Sequence, residues 1–350
     1  MVSRDIMRST TRGFKKYYSP SVKGEVRLDT NTNVLGSNPA AMKYLKEQDT
    51  DLNDYPVTYS DNLRCALASL YNLETENFVV GSGSDEILDI AFKTFTEWGD
   101  DCLVPYPSYT LYEYFAQMNG GSVVYSELTE DFQLDVDDIV SSKAKIVIAA
   151  SPNNPTGNSF RQNDIEDLLA RFKGIVIIDE AYGEYSDNSM IPWVNEFDNM
   201  IVVRTFSKAY AMAALRVGYA IANKDISDMM NSVKIPYSLN SLSEGAAIAA
   251  VKDQDFIRKS KEMVLAERPK LASGLSKLGF EPFPSDSNFI LARSPIDHAV
   301  LTSALKEKGI LIRDFGSKRR MENCVRFTVG TDGMNKDLLD KIADVLEERR

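Results

Sequence analysis

Lys208 stands just beyond the apolar run NMIVVRTF, in SKAYAMAALR. Held among apolar groups or near other cations, a lysine amine is pushed toward the uncharged form that attacks a carbonyl and forms a Schiff base. Asp179, 29 residues earlier, closes the run GIVIID. Burying a carboxylate there is costly unless a cation pairs with it. A further 25 residues back lies Asn154, in SPNNPTG (151–157). In that turn Pro152 and Pro155 fix the backbone, while Asn153 and Asn154 offer amide donors. Arg216, eight residues after Lys208, adds a permanent positive charge.

Two further segments follow apolar runs in the same way. GSGSDE (81–86) comes after NFVV and opens an amphipathic stretch. Its glycines permit a tight turn, and the free N–H groups of a helix N-terminus attract phosphate. Ser84, Asp85 and Glu86 would serve equally in a plain capping loop. The third glycine of a dinucleotide fingerprint and the Gly-Lys-Ser/Thr of a P-loop are both missing. After CLVP comes YPSYTLYEY, where Tyr109 could stack on a flat ring or simply pack on a helix face. Each feature alone is modest, because strands often end in Asp or Lys at a surface. Together, a phosphate cradle, a stacking aromatic, an amide donor, a buried carboxylate and a nucleophilic lysine are what pyridoxal 5′-phosphate requires. A nicotinamide dehydrogenase has no use for the lysine and aspartate pair.

The elements that must hold these groups are legible as alternating strands and helices. From about residue 41 to 245, short Val/Ile runs such as AKIVIAA and GIVIIDEA alternate with amphipathic stretches such as RQNDIEDLLARF. This predicts a large α/β domain with a mainly parallel sheet covered on both faces. Ligands of such sheets sit beyond the carboxyl ends of the strands, where the residues above fall. From 246 to 350 a long helix over about 255–278, the strands NFILAR and CVRFTV and two more helices predict a small α+β domain. Residues 1–40, polar and rich in Asn, Gly and Pro towards their end, are expected to join it as an N-terminal arm.

Composition removes other classes. The chain has 350 residues, 43% of them hydrophobic, and a net charge of −11 that would repel a nucleic-acid backbone. With one histidine, His298, and three scattered cysteines there is little material for a zinc site. The thiols read as reduced and cytosolic. No signal peptide and no run of ~18 apolar residues is visible, so a cytoplasmic location without membrane contact is expected.

SPNNPTG, IIDEAYGEY and RTFSKAYAMAALRVGYA resemble the fold-type I pyridoxal phosphate aminotransferases of classes I and II. The resemblance runs from about Tyr18 to the C-terminus. GSGSDEI and RFTVGT look most like the histidinol-phosphate aminotransferases. It implies a seven-stranded, mainly parallel sheet between helices, a homodimer with shared active sites, and a role in histidine biosynthesis. It further implies that Lys208 carries the cofactor and shuttles the proton, and that Asp179 keeps the ring nitrogen protonated. Asn154 and Tyr182 would donate to the phenolic oxygen, and Tyr109 would stack on the ring. Ser84, Asp85, Thr205, Ser207 and Arg216 would hold the phosphate, with Tyr55 of DYPVTYSD reaching the neighbouring subunit's phosphate. Tyr18, Asn33, Arg313 and Arg326 would contact the substrate, the arginines gripping a phosphate or a carboxylate. The loop NTNVLG departs from the family's N-E-N-P-x-G at Thr32 and Val34, a departure that touches substrate choice rather than chemistry.

The implied reaction is a ping-pong transfer from histidinol phosphate to 2-oxoglutarate. An aromatic amino acid aminotransferase or an amino-acid-phosphate decarboxylase would reuse the scaffold, the latter sharing the N-x-N-x-L-G loop. A pyridoxal phosphate-binding regulator would need a DNA-binding module ahead of the body, for which about 40 non-helical residues leave no room. SKRRM (317–321) reads as a solvated loop between two strands, near enough to Arg313 and Arg326 to tune the entry of anions.

Overall fold

Seven apolar runs pair into one sheet in the computed structural model, which describes residues 6–16 and 26–348. The strands are β1 (Phe78–Gly81), β2 (Asp101–Tyr106), β3 (Ser122–Glu127), β4 (Ile146–Ala150), β5 (Ile175–Asp179), β6 (Met200–Thr205) and β7 (Gly218–Ala222). Their order across the sheet is β1-β7-β6-β5-β4-β2-β3. From β6 to β3 every pairing is parallel, and β7 runs antiparallel to both β6 and β1. The alternation of strands and helices produces this arrangement because each parallel neighbour requires a crossover. The central strands are buried along nearly their whole length. Side chains alternate faces: Val176 and Ile178 enter one core, Ile177 the other.

Helix α1 (Ser84–Phe95) follows β1 and buries Ile87, Leu88, Ala91 and Phe92, spaced to form one apolar stripe. Its N-cap is Gly83, at φ +86°. An L side chain is strained in that left-handed conformation.

A second, antiparallel sheet joins Arg313–Asp314, Cys324–Thr328, Phe289–Arg293 and Glu281–Pro282 in that order. Its core contains Ile290, Val325, Phe327, Leu301 and Leu338. Val26–Arg27 pairs in parallel with Ile310–Leu311, and Leu28 belongs to this small core. A two-residue strand at the start of VRLDTNT leaves no periodic signal, so the sequence shows only a loop there.

The helix Gln254–Lys277 serves both halves. Phe256, Ile257 and Val264 pack into the core of the large sheet, Leu271 and Leu275 into the small one. The helix Ser241–Lys252 also buries Ala246, Ala247 and Ala250 with the large sheet. We therefore propose that the two domains divide inside the long helix, about twenty residues beyond position 245. Among the described residues no helix is long and apolar enough to cross a membrane.

Candidate active site

Strands β4, β5 and β6 end side by side, with Ala150 beside Asp179 in register. Past these ends the chain turns sharply, and a cavity of about 460 Å³ opens between the large sheet and the small one. Lys208, Asp179, Tyr109, Asn154, Tyr182, Ser84, Asp85, Thr205, Ser207, Arg216, Arg313 and Arg326 all line it.

Asp179 lies at its floor, 6% exposed. Tyr112 Oη donates to Oδ2 at 2.6 Å, and the Ala181 N–H donates to Oδ1 at 3.0 Å. No ion pair with a lysine, arginine or histidine compensates the carboxylate among the described residues, and burial pushes its pKa up to about 6. This is a carboxylate lacking a cation, and a protonated ring nitrogen would supply one.

Lys208 Nζ donates to the Thr30 carbonyl at 3.0 Å and lies 5.6 Å from the centre of the Tyr182 ring. Tyr182 Oη accepts from Asn31 Nδ2 at 3.0 Å, so its own hydrogen remains to be donated. Asn154 Oδ1 accepts from Arg326 Nη1 at 2.5 Å. Its amide hydrogens thus remain for the cavity. The adjacent Asn153 is buried scaffolding, donating to Pro107 O and Thr156 Oγ1. The SPNNPTG turn thus sends one asparagine into the frame and the next into the site. Tyr109 meets Tyr112 edge to face, with ring centres 5.4 Å apart.

The first turn of α1 forms another wall. With glycine at the N-cap, no side chain caps its N–H groups, and the helix dipole adds to their pull on an anion. Arg216 reaches across to it: Nη2 donates to Asp85 Oδ2 at 2.8 Å, and Nη1 to Ser207 Oγ at 3.4 Å. Thr205 Oγ1 accepts from the Ser207 N–H at 3.1 Å. A Cβ on Gly83 would stand 2.6 Å from Arg216 Nη2, so the cradle depends on a missing side chain.

Opposite, Arg326 and Arg313 face each other across neighbouring strands. Arg326 is 5% exposed, with Nη2 on the Asp29 carbonyl at 2.9 Å and the guanidinium 4.9 Å from the Phe289 ring centre. Its Nε is buried without a partner among the described residues. Burial, reinforced by Arg313, lowers its pKa to about 10. The uncapped helix turn, the uncompensated carboxylate, the paired donors and the adjacent lysine together match the donor set that a phosphorylated pyridine aldehyde needs.

Two expected residues are not brought together here. Asn33 turns away, donating to Ala209 O at 2.9 Å and Ser260 Oγ at 2.8 Å, and so braces the loop that carries Lys208. Asn31, two residues earlier, lines the cavity instead. Tyr55, 83% exposed, lines a separate opening with Tyr44 and Glu244 and packs on Tyr237. Tyr18 lies outside the described residues. Tyr112, Thr30, Asn31, Asp314 and Lys318 line the cavity as well. Tyr112 is one of four tyrosines in YPSYTLYEY, whose spacings place some of them on a helix face packing the core, so nothing singles it out as a site residue.

The family described as aminotransferase class I and II matches residues 23–342. A histidinol-phosphate aminotransferase of Cytophaga hutchinsonii is 37% identical over 96% of this chain and 97% of its own. One of Caldanaerobacter subterraneus is 33% identical over 98% and 99%. The crystal structure of the histidinol-phosphate aminotransferase from Clostridium acetobutylicum is 28% identical, with a TM-score of 0.86 over 92% of this chain and 99% of that one.

Proposed function

The chain belongs to the class I and II aminotransferase family, whose cofactor is pyridoxal 5′-phosphate, and from that premise we propose that its amino donor is histidinol phosphate and its acceptor 2-oxoglutarate. One observation carries the choice of donor. The same cavity is lined by Lys208 and Asp179 and by the cations Arg326 and Arg313, the groups that a donor with an amine and a distal anion requires. The full-length relatives named for histidinol phosphate support the same choice.

Bound in the cavity, pyridoxal phosphate would supply an aldehyde for the donor amine and a ring to draw off the electron pair left on the carbon when the α-proton departs. The chain's own residues do the rest. Lys208 Nζ, once its bond to Thr30 O is released, is the base that takes the α-proton and returns it. Asp179 holds a proton on the ring nitrogen, and Tyr112 and the Ala181 N–H fix its direction. Asn154 and Tyr182 offer donors to the phenolic oxygen, and Tyr109 offers a ring face. Ser84, Asp85, Thr205, Ser207 and Arg216 hold the phosphate against the uncapped turn. Arg326, walled by Phe289 and Asn154, orients the far anion without water.

The surface around Tyr55 supports a homodimer. Leu52, Ile235, Tyr237 and Val57 are exposed beside it, an apolar patch of the kind that marks an interface. In that dimer Tyr55 would reach the partner's cofactor phosphate.

An absorbance titration tests the donor. A visible band that bleaches with histidinol phosphate and returns with 2-oxoglutarate, and is altered in Lys208→Ala, is the expected result. Bleaching with phenylalanine alone would move the activity to aromatic transamination, and release of carbon dioxide from a phosphorylated amino acid would move it to decarboxylation.

A further inference from the structure

Lys318 belongs to the wall of the cavity, on the loop between Arg313–Asp314 and Cys324–Thr328. Of the four acids that line the cavity, all but Asp179 are already engaged with cations. Asp29 accepts from Arg27 at 2.8 and 2.9 Å, Asp85 from Arg216 at 2.8 Å, and Asp314 bonds His298 Nδ1 at 2.8 Å. Arg313 and Lys318, by contrast, have neither an ion pair nor a side-chain hydrogen bond among the described residues. Two uncompensated cations therefore share the cavity with the buried Arg326, Arg313 directly across from it in the sheet and Lys318 on the following loop.

The loop is held in place by its next two residues. Arg319 pairs with Glu127 at the end of β3, its guanidinium 4.5 Å from the Tyr106 ring centre. Arg320 donates to Leu128 O and, at 2.8 Å, to Thr129 O. Turn bonds from Lys318 N to Phe315 O and from Met321 N to Lys318 O fix the backbone on either side. Lys318 is thus an exposed side chain on an anchored backbone, which lowers the entropy lost when its amine engages an anion.

A carboxylate carries one charge and two oxygens, which a single guanidinium fork satisfies. A phosphate monoester carries about −1.5 to −2 at neutral pH and three acceptor oxygens. Three cations lining one cavity repel one another, and a dianion offsets that repulsion further than a monoanion does. We propose that Lys318 is a specificity residue that, with Arg313 and Arg326, selects a donor ending in a phosphate monoester over one ending in a carboxylate. This rests on the donor reading above and adds a residue that the family resemblance does not assign.

Steady-state kinetics of the holoenzyme test it, with histidinol phosphate and phenylalanine as donors and inorganic phosphate as a competitive inhibitor. In Lys318→Ala the KM for histidinol phosphate and the Ki for phosphate should rise roughly five- to tenfold, the scale of one exposed charge contact on a dianion. The kcat should stay within about twofold and the phenylalanine KM unchanged, because the contact is made equally before and during reaction. Lys318→Arg should restore both values. Equal KM and Ki in wild type and Lys318→Ala overturn the proposal. Should the wild type accept phenylalanine but not histidinol phosphate, the donor reading fails. The Ki for phosphate then decides Lys318 alone, a rise in Lys318→Ala supporting its role and no rise refuting it.

Discussion

Glu180 and Arg204 form a buried ion pair one position before or after residues that face the cavity. Glu180 Oε2 accepts from Arg204 Nη2 at 2.6 Å and from Nε at 3.0 Å, while Glu184 accepts from Nη1 at 2.9 Å. Their neighbours Asp179 and Thr205 line the site. Strand alternation accounts for it: one residue of each pair points to the ligand, the other into the protein. The pair therefore ties the ends of β5 and β6 together from behind.

Replacing Arg204 by Met should leave Glu180 and Glu184 buried without their cation. A loss of about 3–5 kcal/mol in urea unfolding is expected. A loss under about 1 kcal/mol would show that the carboxylates find other partners.

Asp179 makes stability and function oppose each other. Burial raises its folded pKa to about 6, above the ordinary aspartate range near 4, so its contribution to stability is fully present below pH ~4 and lost as pH rises through 6. Asp179→Asn should therefore stabilise the cofactor-free protein at pH 8 by on the order of 2 to 3 kcal/mol and leave it unchanged at pH 4. With cofactor present the sign should reverse, because the ring cation is then left unpaired. Thermal melts at the two pH values, with and without cofactor, measure both.

Gly83→Ala places a methyl group against Arg216 at a left-handed φ. Arg216 must swing away, so cofactor affinity should fall roughly tenfold, with about 1 kcal/mol of backbone strain. An absorbance titration with pyridoxal phosphate reads the first effect and urea unfolding the second.

Tyr55 is testable by complementation. Lys208→Ala and Tyr55→Phe each damage a different subunit's contribution if Tyr55 crosses to the partner. A mixed dimer should then contain one intact site and recover about half the wild-type activity. Activity no higher than the sum of the two parents would place Tyr55 in its own subunit's business.

Most of the site was readable because it follows strands. Asp179, Asn154, Lys208 and Thr205 sit where a Val/Ile run meets turn residues, and a sheet of this kind directs such positions to one edge. Asp29–Thr32 were not readable, since their roles depend on bonds to residues as distant in sequence as Lys208 and Arg326. The choice between Asn31 and Asn33 was likewise closed to periodicity. Two asparagines of one irregular loop look alike until Tyr182 and Ser260 are in place. Glu180 was hidden because only the parity of its strand distinguishes it, whereas Lys318 was legible within SKRRM as a charge near Arg313 and Arg326, and only the anchoring by Arg319 and Arg320 was not.

The long helix that enters both cores has a consequence for how the protein comes apart. Thr30 and Arg326 hang from the small sheet, whereas Lys208 and Asp179 belong to the large one. Groups that line the cavity therefore meet across a seam. Partial opening of the small unit would erase the site while leaving the seven strands intact. Amide exchange should report two protection levels, with loss of catalysis in denaturant tracking the lower one. Inactivation would then precede loss of secondary structure, and a ligand spanning the seam would bring the two transitions together.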